Sequence, residues 1–271
     1  MEFEVRRTRL IALLAAATIV SAGCGGTGAP SAASATATSA SEAEGRTADN
    51  LGDGRISALP RGTLYIQYLD IPQAAGGSLA HAHIAGFVYA IEGTHRLAIV
   101  GGDTKDLTPS EPGVFPRADR QAAFVPADVA HTHSNPGTAA NRWYFISIRP
   151  NTARTAAPTF PGQKEVFATP DLPPLPDGPY IERLVFQTIQ PNGRTNAHKH
   201  GGVETILVLD GSVEVHVQGA STRTLGKDEG TLIPAGTPMQ LWNKGAATAK
   251  FLAYFVTADE KEFQTNVGTS P

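Results

Sequence analysis

The stretch Ala197-His-Lys-His-Gly-Gly-Val-Glu-Thr-Ile-Leu-Val-Leu-Asp-Gly211 decides how this chain is read. Successive side chains of a strand point to opposite faces, so His198 and His200 project to the same side. Two neutral imidazoles placed in this way can meet one ion. If Glu204 lies further along that face and a third strand brings one more donor, a closed pocket with three or four ligands results. Downstream stands Leu232-Ile-Pro-Ala-Gly-Thr-Pro-Met-Gln-Leu-Trp-Asn243. An earlier segment repeats the same order: His81-Ala-His83, then Val88-Tyr-Ala-Ile-Glu-Gly93, then Phe124-Val-Pro-Ala-Asp-Val-Ala-His-Thr-His-Ser-Asn135. Order and spacing correspond, and an internal duplication is the simplest account.

Around these segments lie runs of alternating apolar character, such as Thr63–Leu69, Phe87–Ile91, Tyr144–Ile148 and Leu184–Ile189, separated by Gly, Pro, Asn and Asp turns. Charged residues make up 17% of the 271 residues, while Gly (28) and Pro (20) are abundant, which fits many short strands better than long charged helices. The expected class is all-β. Prolines crowd residues 158 to 179; they cannot join a central ladder and mark a connector between the two halves. A net charge of −3 supplies no basic face for nucleic acid, which excludes that class of partner.

At the N-terminus Arg6, Arg7 and Arg9 precede an apolar stretch from Leu10 to Val20, and Ser21-Ala22-Gly23 places small residues before Cys24, the only cysteine. This is the three-part pattern of a signal peptide. It resembles a bacterial lipoprotein signal, which implies export, lipidation of Cys24 and extracytoplasmic anchoring to the cell membrane. An ordinary secretory signal with an incidental cysteine is the alternative, and Arg6-Arg7 also admits twin-arginine export. From Gly25 to about Asn50 the chain is almost entirely Ala, Ser, Thr and Gly, too polar to offset the entropy of ordering, and it is expected to be a flexible tether.

Both repeated segments resemble the cupin superfamily. Its first motif is His-X-His, three or four residues, Glu, six residues and Gly. Its second is Pro-X-Gly, two residues, His, three residues and Asn. In the second segment His198, His200, Glu204 and Gly211 fit the first motif, and Pro234, Gly236 and Asn243 fit the second, with Met239 at the His position. In the first segment the acidic position falls on Gly86 or Phe87, Asp128 replaces Gly, and His131 stands at the ligand position. The resemblance implies two tandem cupin (jelly-roll) β-barrels, at residues 59–157 and 180–265, after a signal peptide (1–23) and a disordered linker (24–58), with the connector at 158–179. It also implies one divalent ion per barrel, held by His81, His83 and His131 in the first and by His198, His200 and Glu204 in the second. His and Glu serve iron, manganese, copper, nickel and zinc alike. Three neutral ligands leave the ion's charge uncompensated, which favours an anionic or chelating substrate.

Met239 reads as a core filler, with a soft thioether ligand as the alternative. His133 shares the period of His131, but exposure near the barrel mouth is the expected reading; His95 and His216 read as structural. Among the aromatics Tyr89 alone shares the parity of His81 and His83, so it is the candidate lining residue ahead of Trp143 and Tyr144. The resemblance to quercetin dioxygenases and oxalate-degrading enzymes implies a metal-dependent, dioxygenase-like oxidoreductase acting on a small molecule. A non-catalytic metal- or ligand-binding protein at the cell surface is the alternative. The sequence leaves room for an oligomer.

Overall fold

A computed structural model describes residues 45–110, 120–268 and 271. The signal segment 1–23, Cys24 and most of the expected linker lie outside the described residues. The alternating runs become strands: β1 (Arg46–Ile56), β2 (Leu64–Gln73), β3 (Ser78–His81), β4 (Gly86–Glu92), β5 (His95–Ile99), β6 (Thr104–Leu107), β7 (Ala122–Val125), β8 (His131–Ser134) and β9 (Asn141–Pro150). After a 3-10 turn over Asn151–Thr155 come β10 (Lys164–Ala168), β11 (Tyr180–Ile189), β12 (His198–His200), β13 (Val203–Asp210), β14 (Val213–Val217), β15 (Arg223–Leu225), β16 (Gly230–Ile233), β17 (Met239–Trp242), β18 (Ala249–Ala258) and β19 (Gln264–Asn266). Among the described residues no helix is long and apolar enough to cross a membrane.

Each half is built from two antiparallel sheets. The first has β10-β2-β9-β4-β7 and β3-β8-β5-β6; the second has β1-β11-β18-β13-β16 and β15-β14-β17-β12-β19. The registers carry the duplication residue by residue. Gly86 pairs with Val125 and Glu204 with Ile233, one residue before Pro126 and Pro234, so Gly86 and Glu204 are equivalent positions. Period-two alternation then divides the five-stranded sheets. Phe87 and Tyr89 of β4 join Tyr68, Leu184, Leu207 and Tyr254 in a core between the barrels, while Val88 and Ala90 face the inside of the first barrel with Leu97 and Trp143. The second barrel is filled by Val208, Val213, Leu241 and Phe251.

Three expectations are corrected. The disordered linker expected over 24–58 is ordered from Arg46 to Ile56, which is an edge strand paired with β11 from Arg46↔Ile189 to Ile56↔Tyr180. The local sequence is poor in strand formers. What orders it is the open edge of β11 and the burial of Leu51 and Ile56 in the inter-barrel core, a tertiary effect that overrides propensity. Gly54 permits the approach, since a Cβ there would stand 2.1 Å from the Phe124 ring. The connector 158–179 is likewise not wholly irregular: β10 lies between its prolines and pairs with β2, at a sheet edge where proline-flanked strands are tolerated. Tyr89 does not face the histidines. β3 ends at His81, the chain bends at Ile84, and the parity counted from His83 is lost, so Tyr89 packs between the barrels near Tyr144.

The asparagines of the second motif hold the fold together. Asn135 Nδ2 donates to Gln73 O (3.0 Å) and Ala139 O (2.8 Å), and Asn243 Nδ2 donates to Ile189 O (2.7 Å) and Ala247 O (2.8 Å). Each ties the turn after β8 or β17 to the end of β2 or β11. Asp128 adopts the left-handed backbone (φ 58°) that Gly236 adopts in the other barrel (φ 73°), a conformation Asp tolerates better than most residues.

Candidate metal centres

In the first barrel the pairing of β3 with β8 sets His81 opposite His131. His83 follows just after β3, and His133 lies two residues beyond His131 on the same inward face. The ligand nitrogens of these four histidines all lie within 4.8 Å of one another. His83 Nδ1–H donates to Ile84 O (2.6 Å) and His131 Nδ1–H to Val129 O (2.7 Å). Both rings therefore present an Nε2 lone pair to the centre, and those two nitrogens face each other at 3.0 Å. Bare lone pairs at that distance repel, and a cation between them removes the repulsion. His81 Nε2 and His133 Nε2 are also buried without a partner. Burial lowers the pKa of all four, that of His83 to about 4, which keeps them neutral and able to ligate at pH 7. The donor set fits a divalent ion.

The reading of His133 as exposed is corrected: it is fully buried, stacked on Trp143 with ring centroids 4.5 Å apart and planes 8° apart. Behind it His95 Nε2 lies 2.9 Å from His133 Nδ1, so His95 holds the orientation of that ring. A period-two count from His131 carries the signal for His133. Trp143, ranked behind Tyr89 as a lining residue, packs on His133 from β9, and Phe160, which nothing local marks, packs on His81 and His133 from the connector. These rings and His81, His83, Gln67 and Arg149 line a cavity of about 140 Å³.

The second centre has a different composition. His198 Nδ1–H donates to Asn196 O (2.7 Å) and His200 Nδ1–H to Phe263 O (2.8 Å), again aiming Nε2 inward. Glu204 Oε2 lies 3.6 Å from His200 Nε2, too far for a hydrogen bond, and is buried without a partner. Burial raises the Glu204 carboxyl to about pH 8 and depresses His200 to about 3, so without a cation both are neutral at pH 7. A divalent ion among the three would draw the proton off Glu204. This set also fits. Met239 sits at the place of His131, fully buried in the apolar cluster of Val213, Val215, Ile233 and Leu241. His216 contacts Glu214 Oε2 (3.2 Å) and Thr222 Oγ1 (3.3 Å), away from the centre.

With this geometry in hand, the cupin domain family matches residues 185–255. The oxalate decarboxylase of Lactobacillus farciminis, in its formate complex, superposes with a TM-score of 0.50 at 13% identity, covering 79% of this chain and 88% of that one. That of Bacillus subtilis gives 0.50 at 14% identity, covering 79% of each chain. The chain has the two-barrel cupin fold. A salicylate 1,2-dioxygenase from Pseudaminobacter salicylatoxidans aligns with a TM-score of 0.42 at 15% identity, covering 71% of this chain and 70% of that chain. No curated protein matches the sequence.

The bicupin frame explains how one barrel dispenses with the carboxylate. A Cβ on Gly86 would lie 2.5 Å from Ile146 O and 2.9 Å from the Phe145 ring. The registers Val88↔Phe145 and Ile206↔Ala253 make Phe145 the equivalent of Ala253. A phenyl ring over Gly86 in one barrel thus replaces a carboxylate beside Ala253 in the other. Phe87, the second candidate for the acidic position, belongs to the inter-barrel core.

Proposed function

We propose that this bicupin is an exported metalloprotein whose first barrel is a metal-dependent, dioxygenase-like oxidoreductase centre for a small anionic molecule. The observation that carries this reading is the convergence of four neutral imidazoles within 4.8 Å of one another, two of which, His81 and His83, line a cavity that also contains Arg149. The Nε of Arg149 is buried without a partner, while its Nη1 donates to Gln67 Oε1. His81, His83 and His131 would hold the ion, with His133 as a fourth donor or a close neighbour. A bound divalent ion would supply open positions for a chelating substrate and for O₂ or water. The ligands bring no negative charge, so an anion is the partner that neutralises the ion, and Arg149 can orient its far end. Phe160 and Trp143 pack over His133, while His81 and His83 stay half-buried and open to the cavity. A cavity of about 140 Å³ limits the substrate to a few heavy atoms. The Bacillus subtilis neighbour carries Mn(II) centres, and iron and copper suit the same donors.

The second barrel supports a different role. Phe255 and Phe263 pack against His200 with centroids 4.6 and 5.0 Å away, and β19 lies along β12. A closed centre of this kind suits a structural or storage ion. Export and anchoring rest on residues 1–24; the expected outcome is that Cys24→Ser abolishes labelling by radioactive palmitate.

The test is metal content and oxygen uptake of the chain purified without chelator. The expected result is one to two equivalents of iron, manganese or copper, with His83→Ala losing the first share and any carboxylate-dependent oxygen uptake. A chain that stays metal-free after reconstitution with each ion overturns the proposal.

A further inference from the structure

The duplication singles out a carboxyl that neither metal centre uses. Glu182 on β11 is fully buried in the space between the barrels, and neither of its oxygens has a hydrogen-bond partner of good geometry. The Tyr254 hydroxyl lies alongside and could donate to one oxygen only, which leaves the other open. The registers Ile66↔Ile148 and Glu182↔Val256 make Ile66 the equivalent residue of the first barrel, and Ile66 is fully buried as well. The frame accepts isoleucine at this position. A lone buried carboxyl costs a small domain several kcal/mol, so its presence calls for an occupant.

Glu182 lines a cavity of about 300 Å³, separate from the histidine centres. Its walls are apolar, formed by Ile56, Leu59, Ile84 and Ile148, and among the described residues the one other charged group on them is the carboxyl of solvent-exposed Asp128. Two carboxyls and no basic side chain make the cavity electronegative. Burial alone raises the Glu182 carboxyl to about pH 7, which a cation at hand would reverse.

We propose that this inter-barrel cavity is a second small-molecule site that takes a primary amine with a short alkyl body, its ammonium donating to the Glu182 carboxylate and its chain lying against Ile56, Leu59 and Ile148. Charge-assisted hydrogen bonds to a buried carboxylate supply the specificity, and the apolar wall rejects larger polar amines.

The test uses the full chain and three probes of one size, n-butylammonium, n-butanol and n-butyrate, by isothermal titration. Saturable binding of butylammonium, at least tenfold tighter than butanol and without detectable butyrate binding, is expected. Glu182→Gln should weaken it at least tenfold and Leu59→Trp should abolish it by filling the cavity, both with wild-type metal content. Equal affinity for butanol and butylammonium, no saturable binding, or a folded Glu182→Gln chain that binds as wild type would each overturn the proposal. If neither variant folds, the wild-type comparison of the three probes still decides.

Discussion

The two barrels share a frame and differ in where they place the groups that could meet an ion. The first draws histidines from β8, with His131 and His133 backed by His95; at the equivalent places the second has Met239, Leu241 and Val213. The second draws a carboxylate from β13, where the first has Gly86 under the Phe145 ring. The covers differ too. The connector brings Phe160 over the first centre beside an arginine-lined cavity, whereas the segment ending in β19 seals the second with Phe263. One duplicated frame thus carries an open set of four imidazoles and a closed set that includes a carboxyl, and the exchange at Gly86 and Glu204 is compensated in volume by the Phe145 ring.

The most forceful way to break this comparison is to move the carboxylate across. Gly86→Glu is expected to lose about 3 kcal/mol, because the new side chain meets the Ile146 carbonyl, Ser147 Cβ and the Phe145 ring, and the double variant with Phe145→Ala should recover only the share due to the ring. Urea unfolding of both variants measures the difference. The Glu182/Ile66 pair sharpens the comparison through pH. In the folded chain Glu182 is held at about 7 against about 4.5 when unfolded, so the folded state binds that proton more tightly. Its contribution is fully present below about pH 4.5 and is lost as pH rises through 7, on the order of 3 kcal/mol. Glu182→Ile should flatten that part of the stability profile, as followed by thermal melts between pH 4.5 and 8.

Two smaller effects separate what is shared from what is not. His95→Val, which copies Val213, should weaken metal binding in the first barrel by about 10- to 100-fold and leave the second unchanged, as competitive chelator titration would show. Asn135→Ala and Asn243→Ala should each cost between about 1 and 2 kcal/mol, nearly equally, since both tie the same turn to the same strand end. A large asymmetry between the two would sink the claim that these asparagines belong to the frame.

The parts of this arrangement that depend on short-range periodicity were legible in the sequence. His198-X-His200 and His81-X-His83 declare a shared face, and the spacing to Gly93 and Gly211 places the turns, where both glycines take left-handed φ values of 67° and 72°. His133 was legible by the same count from His131 and was read as exposed because nothing local reports that β9 and Phe160 close over it. Tyr89 was misplaced because a bend at Ile84 interrupts the alternation. Arg46–Ile56 looked like tether because its order is supplied by β11, far along the chain. Cavities are a sum of distant segments, and no run of residues announces them.

The edge strands have a consequence for how the chain is made. β1 precedes the first barrel yet completes a sheet of the second, and β10 precedes the second barrel yet completes a sheet of the first. A polypeptide emerging from its N-terminus must hold Arg46–Ile56 unpaired until Tyr180–Ile189 has been synthesised, whereas both sheets of the first barrel have all their strands once Ala168 is made. Pairings of such long sequence separation close slowly. Made as separate polypeptides divided after Ala168, the first half would carry β1 as an unmatched strand and the second would present the open edge of β11 that β1 fills, so the two would assemble with each other in preference to persisting alone.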